Sequence, residues 1–248
     1  MNPNYPNWLV EQKYAENTQA AQIHRVRRVE ESYGSLDDHF KNGTIQKLVN
    51  ELSYSRHDER ENRPNPSKIK FEGNIRNNLQ SYKSAVVRYG IFLTGKGFQS
   101  NPLRSLDTTD IKIPNDSLQE FYQQREQRFS LERDMQATLR LNIASLDPSL
   151  KIIDDGAERA VNTGFIDITC EDAQGLVIVE LKAGTADSRS IGQMLGYMND
   201  LYEEEDGKPV RGILVAHDFD KRTKSAARMV QNLTLKKYSI EFKFTIEE

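Results

Sequence analysis

The chain has 248 residues, with 34 Lys and Arg against 37 Asp and Glu, a formal net charge of −3, 37% hydrophobic and 29% charged content. That length holds one large domain or two small ones, and apolar residues gathered in periodic blocks exclude general disorder despite a mean hydropathy of −0.71. One cysteine, Cys170, excludes a disulfide framework and a cysteine-rich zinc site, and no apolar run reaches the ~18 residues of a membrane span.

The opening MNPNYPNWLVEQKY lacks the basic-then-apolar order of a secretory signal, so a cytoplasmic protein without membrane attachment is expected. From about Thr18, apolar residues recur at helical spacing: Ile23, Val26 and Val29, then Leu36, Phe40, Ile45, Leu48, Val49 and Leu52. The polar, proline-containing stretch from Arg56 to Asn74 reads as an exposed loop. A helix follows in NIRNNLQSYKSAVVRYGIFLTGKG, with Ile75, Leu79, Tyr82, Val86, Tyr89 and Leu93 on one stripe and glycines at its end. Between Ala21 and Arg104 there are fifteen Lys and Arg against nine Asp and Glu, a local basic field in an acidic chain. Asn101 to Ser117 reads as a linker. The expected division is a mainly α-helical domain over 1–105, a linker and connecting helix over 106–128, and a second domain over 129–248.

SLQEFYQQREQRFS is polar and helical. LERDMQATLRLNIASL makes an amphipathic helix, with Leu131, Met135, Leu139 and Ile143 facing inward and Pro148 ending it. Three β-type runs follow, LKII at Leu150, GFIDITC at Gly164 and LVIVELK at Leu176, the last two joined by the hairpin turn EDAQG. Next come a helix from about Ser188 to Glu204, the strand VRGILVAH, a helix through Ala226 and Val230, and a final strand YSIEFKFTI. This order predicts an α/β fold: a mixed five-stranded sheet flanked by helices. Cys170 falls in a strand, as a buried inert thiol.

Alternation along GFIDITC places Phe165, Asp167 and Thr169 on one face and Ile166 and Ile168 on the other. In LVIVELKAG, Ile178, Glu180 and Lys182 share a face, so a hairpin brings Asp167 close to Glu180, with Lys182 one step beyond. Charges enter apolar strands only with partners, because desolvation costs several kcal/mol per ion. One reading is a salt bridge of Lys182 with either acid. The other is a divalent metal on two carboxylates: Mg²⁺, with Mn²⁺ as a substitute, binds through one or two carboxylates plus substrate phosphate. Lys182 would then hold the attacking water or neutralise charge on phosphorus.

Asp167, twelve residues, then Glu180-Leu181-Lys182 resembles the signature of the PD-(D/E)xK phosphodiesterases, with their restriction-endonuclease-like core. From about Phe129 to Leu201 the chain further resembles the catalytic domain of NucS/EndoMS-type endonucleases, through LERDMQATLRLNIASLDPSLKII, GFIDI, VIVELKAG and IGQMLGYMNDL. The resemblance implies that Glu132 joins Asp167, Glu180 and the Leu181 backbone carbonyl at the metal, and that Gln193 serves catalysis with Tyr197 in support. Glu132 also sits where a carboxylate offsets a helix dipole, and Tyr197 where packing alone would explain it. His217 with Asp218 and Asp220 reads as a strand-end loop of solvated charges, and YEEEDG at Tyr202 as an exposed helix end.

The NucS likeness stops at the helical half. There SYKSAVVRYGIFL loosely resembles the DNA-clamping core-binding domain of tyrosine recombinases, which implies phosphate contacts from Arg25, Arg27, Arg28, Arg76, Lys83 and Arg88. The expected function is a metal-dependent DNA endonuclease in restriction, phage defence or a mobile element. The alternatives are a repair nuclease for mismatched, branched or single-stranded DNA, and a catalytically silent nucleic-acid-binding module. One site per chain makes a homodimer the expected form for double-strand cleavage.

Overall fold

The structure, a computed structural model, describes residues 1–94, 130–241 and 245–246. The linker, the connecting segment 106–128, the SLQEFYQQREQRFS helix and most of the end of YSIEFKFTI lie outside the described residues.

Six helices build the first half: α1 (Tyr5–Glu11), α2 (Glu16–Tyr33), α3 (Leu36–Lys41), α4 (Ile45–Glu51), α5 (Arg56–Arg60) and α6 (Ile75–Thr94). Their apolar stripes converge on one core that contains Tyr5, Leu9, Val26, Val29, Leu79, Val86 and Tyr89. The segment expected to be a loop, Arg56 to Asn74, contains α5. Ser55 and Asp58 form a reciprocal cap over that short helix, a local hydrogen-bond solution that hydropathy does not reveal. Further along the same segment Ile69 is buried in the helical core.

The second half starts with α7, helical over residues 130–141, and a 3₁₀ turn at Ile143–Ser145. The strands are β1 (Lys151–Ile152), β2 (Arg159–Val161), β3 (Gly164–Ile166), β4 (Ile168–Asp172), β5 (Gly175–Ala186), β6 (Val210–Phe219) and β7 (Leu233–Lys237). Helix α8 (Ser188–Glu204) joins β5 to β6, and α9 (Lys221–Ala227) joins β6 to β7. The main sheet has the order β1-β4-β5-β6-β7, antiparallel from β1 to β5 and parallel from β5 to β7. This is the mixed five-stranded sheet that the pattern predicted. One face, with Val177, Val179 and Leu181, is covered by Met135 and Leu139 of α7. The other, with Ile178 and Leu214, is covered by Ile191, Met194 and Tyr197 of α8 and Ala227 of α9.

Two strands differ from expectation. The last strand among the described residues is Leu233–Lys237, ahead of YSIEFKFTI: Leu233 and Leu235 reach the α8–α9 core, Ser239 and Ile240 are exposed, and residues 242–244 lie outside the described residues. The hairpin of β2 and β3 forms a small second sheet. Its edge is satisfied by α6: Gln80 Nε2 donates to the Ala160 carbonyl at 3.0 Å, and the Ala160 amide donates to Ser84 Oγ at 3.2 Å.

The two halves are joined by ion pairs. Arg88 on α6, fully buried, donates to Glu158 Oε2 at 3.1 Å, the Glu158 carbonyl at 2.7 Å and Gln22 Oε1 at 2.8 Å. Lys83 meets Glu204 at 3.0 Å, Arg76 meets Glu205 at 2.5 Å, and Arg159 meets both acids. The YEEEDG stretch is therefore not simply an exposed helix end. Glu205 is buried, and Arg159 and Arg76 hold its carboxyl below the usual range against the opposing effect of burial.

Candidate active site

The run GFIDITC is not one strand. It breaks at Asp167, between β3 and β4, and the break inverts the side-chain phase. Ile166 enters the α8 core, whereas Ile168 enters the α7 core. An unbroken strand would keep residues two apart on one side. The reason is lateral: the Asp167 carbonyl accepts from Gln136 Nε2 at 2.7 Å and from Arg140 at 2.5 Å, two side chains of α7, instead of from a neighbouring strand.

Ladder pairing of β4 with β5 ends at Ile168 opposite Val179, so Asp167 lies level with Glu180 at the opening of the hairpin. Asp167 Oδ2 accepts from the Leu181 amide at 2.8 Å. Glu180 is completely buried, and its Oε1 accepts from Lys182 Nζ at 2.8 Å and from Gln193 Nε2 at 3.0 Å. Gln193 also donates to the hydroxyl of buried Tyr197 at 2.7 Å. Glu132, in the first turn of the described part of α7, accepts from the Ala183 amide at 2.9 Å, one residue past Lys182. Asp167, Glu180, Lys182, Gln193, Tyr197, Glu132 and Leu181 are thus drawn into one place.

The electrostatics are strained. Burial, then the Glu180 charge, raises the Asp167 carboxyl well above the usual range. Burial also raises Glu180, with Lys182 acting against the shift. For Lys182, burial works to lower the ammonium, but Glu180, Asp167 and Glu132 together outweigh it and leave a raised pKa. Beneath the site, burial pushes Asp154 up to about 6 against the pull of Arg140, and its Oδ2 accepts from the Thr169 amide at 2.6 Å.

Glu180 Oε2 is buried with no hydrogen-bond partner. A buried carboxylate oxygen is costly to leave unmatched, and a hard cation is the natural match for one beside a second carboxylate. Among the described residues no three His, Cys, Asp or Glu side chains form a ready-made ion cage. Glu132, Asp167 and Glu180, expected from the sequence as a joint metal set, therefore do not meet as a three-carboxylate cage.

Five of the six cations assigned to phosphate contact have other places. Arg88 and Lys83 are buried in ion pairs, and Arg76 is shared by Glu59 and Glu205. Arg25 meets Asp155 at 3.1 Å, and Arg28 meets Glu31 at 3.1 Å and the Lys70 carbonyl at 2.8 Å. Arg27 alone of the six is exposed without a salt bridge among the described residues. The basic stripe of the helical half is chiefly the glue between halves: Arg25, Arg76, Lys83 and Arg88 pair with acids 130, 129, 121 and 70 positions away. Arg25, Arg76, Arg88 and Arg159 also line a cavity of about 390 Å³ between the halves, apart from Asp167 and Glu180. Sequence reasoning missed Gln136, Arg140 and Glu158, whose pattern was that of ordinary helix and loop residues.

Gly164 backs the site. Its φ of +153° favours glycine, and an added Cβ would stand 2.7 Å from the Tyr197 hydroxyl. Gly164→Ala is expected to displace Tyr197 and with it Gln193. A crystal structure of the variant with the Tyr197–Gln193 hydrogen bond intact would refute this.

Residues 131–244 match the family model described as the Endonuclease NucS C-terminal domain. Endonuclease NucS of Thermococcus kodakarensis is 36% identical over 87 residues, 35% of this chain and 31% of that protein. Its counterpart in Pyrococcus furiosus is 34% identical over 85 residues, 34% and 30% of the two chains. That of Methanopyrus kandleri is 30% identical over 116 residues, 46% and 40%. The chain thus spans well under half the length of these relatives. Among solved structures, a repair endonuclease from Pyrococcus abyssi gives a TM-score of 0.38 at 30% identity, covering 42% of this chain and 45% of that one. An EndoMS–dsDNA complex gives 0.39 at 26% identity, covering 44% of each. Residues 131–244, with Asp167, Glu180 and Lys182 inside them, are thus similar to the NucS C-terminal domain over a little less than half of the chain.

Proposed function

We propose that this half of the chain hydrolyses phosphodiester bonds in DNA as a divalent-cation-dependent endonuclease. The observation that carries the reading is the buried pair Asp167 and Glu180, with Lys182 and Gln193 on one Glu180 oxygen and nothing on the other. Two mutually repelling buried acids lower stability, which is sensible where they hold a cation. The match of residues 131–244 to the NucS C-terminal domain, and the likeness to relatives named as endonucleases, support the same chemistry.

In this scheme Asp167, Glu180 and the Leu181 carbonyl would hold Mg²⁺ or Mn²⁺, with Glu132 beside them. The bound ion supplies charge stabilisation at phosphorus and a more acidic water. Lys182, kept cationic by its three acidic neighbours, orients the attacking water and offsets the growing negative charge on the phosphoryl oxygens. Gln193 directs its amide from α8 towards the same place and is fixed there by Tyr197. Water oxygen bonds to phosphorus and gives a proton to solvent, the bond from phosphorus to the leaving sugar oxygen breaks, and that oxygen takes up a proton from solvent.

For substrate, the NucS likeness favours a mismatched or branched duplex. A restriction or phage-defence role has only the two-part layout of the chain behind it. A homodimer is the form in which one site per chain cuts both strands.

The test incubates the protein with supercoiled, linear, mismatched and single-stranded DNA in Mg²⁺, Mn²⁺ or EDTA, alongside calorimetric titration with Mn²⁺ alone. Nicking in Mg²⁺ or Mn²⁺ that EDTA abolishes is expected, with Mn²⁺ binding that strengthens as pH rises. The raised pKa values of Asp167 and Glu180 make protons compete with the ion, so the sign of that trend is fixed. DNA binding without cutting, together with no Mn²⁺ binding, would leave the silent-module reading in its place.

A further inference from the structure

With five of the helical half's six candidate cations committed to ion pairs and Arg27 alone left exposed, DNA held at the candidate site needs another cationic surface. In-register neighbours of a parallel sheet share a face. Lys182 on β5 lies beside Ala216 on β6, and Ala216 lies beside Lys237 on β7. Lys237 is therefore two strands from Lys182 on the same face, about 10 Å at the usual strand spacing. The chain leaving β7 returns to the site: the Tyr238 hydroxyl donates to the Ala183 carbonyl at 2.6 Å, on the residue whose amide binds Glu132. Exposed His217 stacks edge-on against Tyr238 at 5.8 Å.

This corner is strongly basic. Between His217 and Lys237 there are six Lys and Arg and two Asp, in a chain whose net charge is −3. Both acids are engaged: Asp220 caps α9 through the Thr223 amide, and Asp218 pairs with Lys237 at 2.5 Å and Lys224 at 3.3 Å. Lys221, Arg222 and Arg228 are exposed and form no salt bridge among the described residues. Lys221 and Arg222 follow directly on the end of β6, which lies beside Thr185 and Ala186, so they stand at the same end of the sheet as Lys182, and Arg228 follows at the far end of α9. Positive charge in excess of what Asp218 and Asp220 balance, adjoining two carboxylates that must approach a phosphate, is the electrostatic footprint of a polyanion.

We infer that the α9–β7 corner, through Lys221, Arg222, Arg228 and Lys237, holds the DNA backbone as it passes the candidate site. This rests on the nuclease reading and names the surface that serves it. The contacts are to phosphates, so they set position and affinity without reading sequence.

The experiment measures affinity for a fluorescent duplex by anisotropy across a salt series, in EDTA, for the wild type, for Lys221→Gln/Arg222→Gln/Arg228→Gln and for Arg27→Gln. Each lost phosphate contact removes about 0.9 from the slope of log affinity against log salt. The triple variant is expected to bind about tenfold or more weakly near 0.1 M salt, with a slope shallower by about two to three, while Arg27→Gln stays near wild type. All four positions are exposed, so unchanged circular dichroism and Tm should accompany the loss. An unchanged slope in the triple variant, or a loss in Arg27→Gln equal to or greater than it, overturns the surface. If the wild type nicks DNA in Mg²⁺ while the triple variant binds normally, only the surface falls. If the wild type neither binds nor nicks DNA, the nuclease reading falls and takes the surface with it.

Discussion

Asp167→Asn is expected to abolish DNA nicking and at the same time to raise Tm. The carboxyl is buried beside Glu180, and both burial and that neighbouring charge raise its pKa. A group that holds its proton more tightly in the folded chain than in the unfolded one is a net cost when ionised. The cost is present in full above the folded pKa and is relieved as pH falls through it towards the unfolded value. Wild type should therefore gain stability on acidification through that window, and the variant should lose this part of its pH dependence. Asn keeps an oxygen for the Leu181 amide, so the local hydrogen bond survives. Each kcal/mol relieved would raise Tm by about 2–4 °C in a chain of this size. Loss of a ligand that helps supply several kcal/mol of transition-state stabilisation corresponds to about a 10³-fold fall in rate. If these charges were only a structural ion pair with Lys182, the same substitution would lower Tm. Calorimetry beside a nicking assay separates the two, and a destabilised variant would sink the catalytic reading.

Arg88→Ala is expected to be the most destabilising single change. The guanidinium is fully buried and makes four hydrogen bonds: two to Glu158, one to Gln22 and one to the Tyr14 hydroxyl. Its removal leaves the Glu158 carboxylate, 2% exposed at its side chain, without its cation between the two halves. Breaking a buried pair from one side costs about 3–5 kcal/mol, hence a Tm lower by roughly 6–20 °C. Replacing both partners, Arg88→Met with Glu158→Met, should recover much of the loss, because no charge is then left stranded. The effect should also reach the candidate site. Gln136 donates both to Glu158 Oε1 at 2.8 Å and to the Asp167 carbonyl at 2.7 Å, so one amide ties the pair to the break that aims Asp167. A double-mutant cycle by chemical denaturation measures the coupling, and an interaction energy near zero would contradict this account.

Local pattern was enough to find most of the sheet half. Alternation in LVIVELK and VRGILVAH, the turn EDAQG and the helical stripe of Ser188–Glu204 are short-range consequences of backbone geometry, and the structure has each of them. The strand Leu233–Lys237 was not expected because YSIEFKFTI and LTLKK alternate about equally well. Only contact with α8 and α9 distinguishes them, and Leu233 and Leu235 make it. Helix α5 escaped notice for the opposite reason: it buries none of its residues and exists through its cap.

By itself the sequence determined the fold class and the charged triplet Asp167, Glu180 and Lys182, since an ionised residue inside an apolar run is visible without coordinates. It also pointed to Glu132, Gln193 and Tyr197, through resemblance rather than periodicity. What only the tertiary structure decided is what the remaining charges are for. Arginine reads alike in a sequence whether it faces solvent or a buried carboxylate, and Arg76, Lys83 and Arg88 meet acids 129, 121 and 70 positions away. The same holds for the phase break at Asp167, because the side chains that capture its carbonyl come from α7, 31 and 27 residues earlier. Periodicity is a local property, whereas the pairing of buried charges and stray carbonyls is settled by which distant groups the packed chain brings within hydrogen-bonding reach.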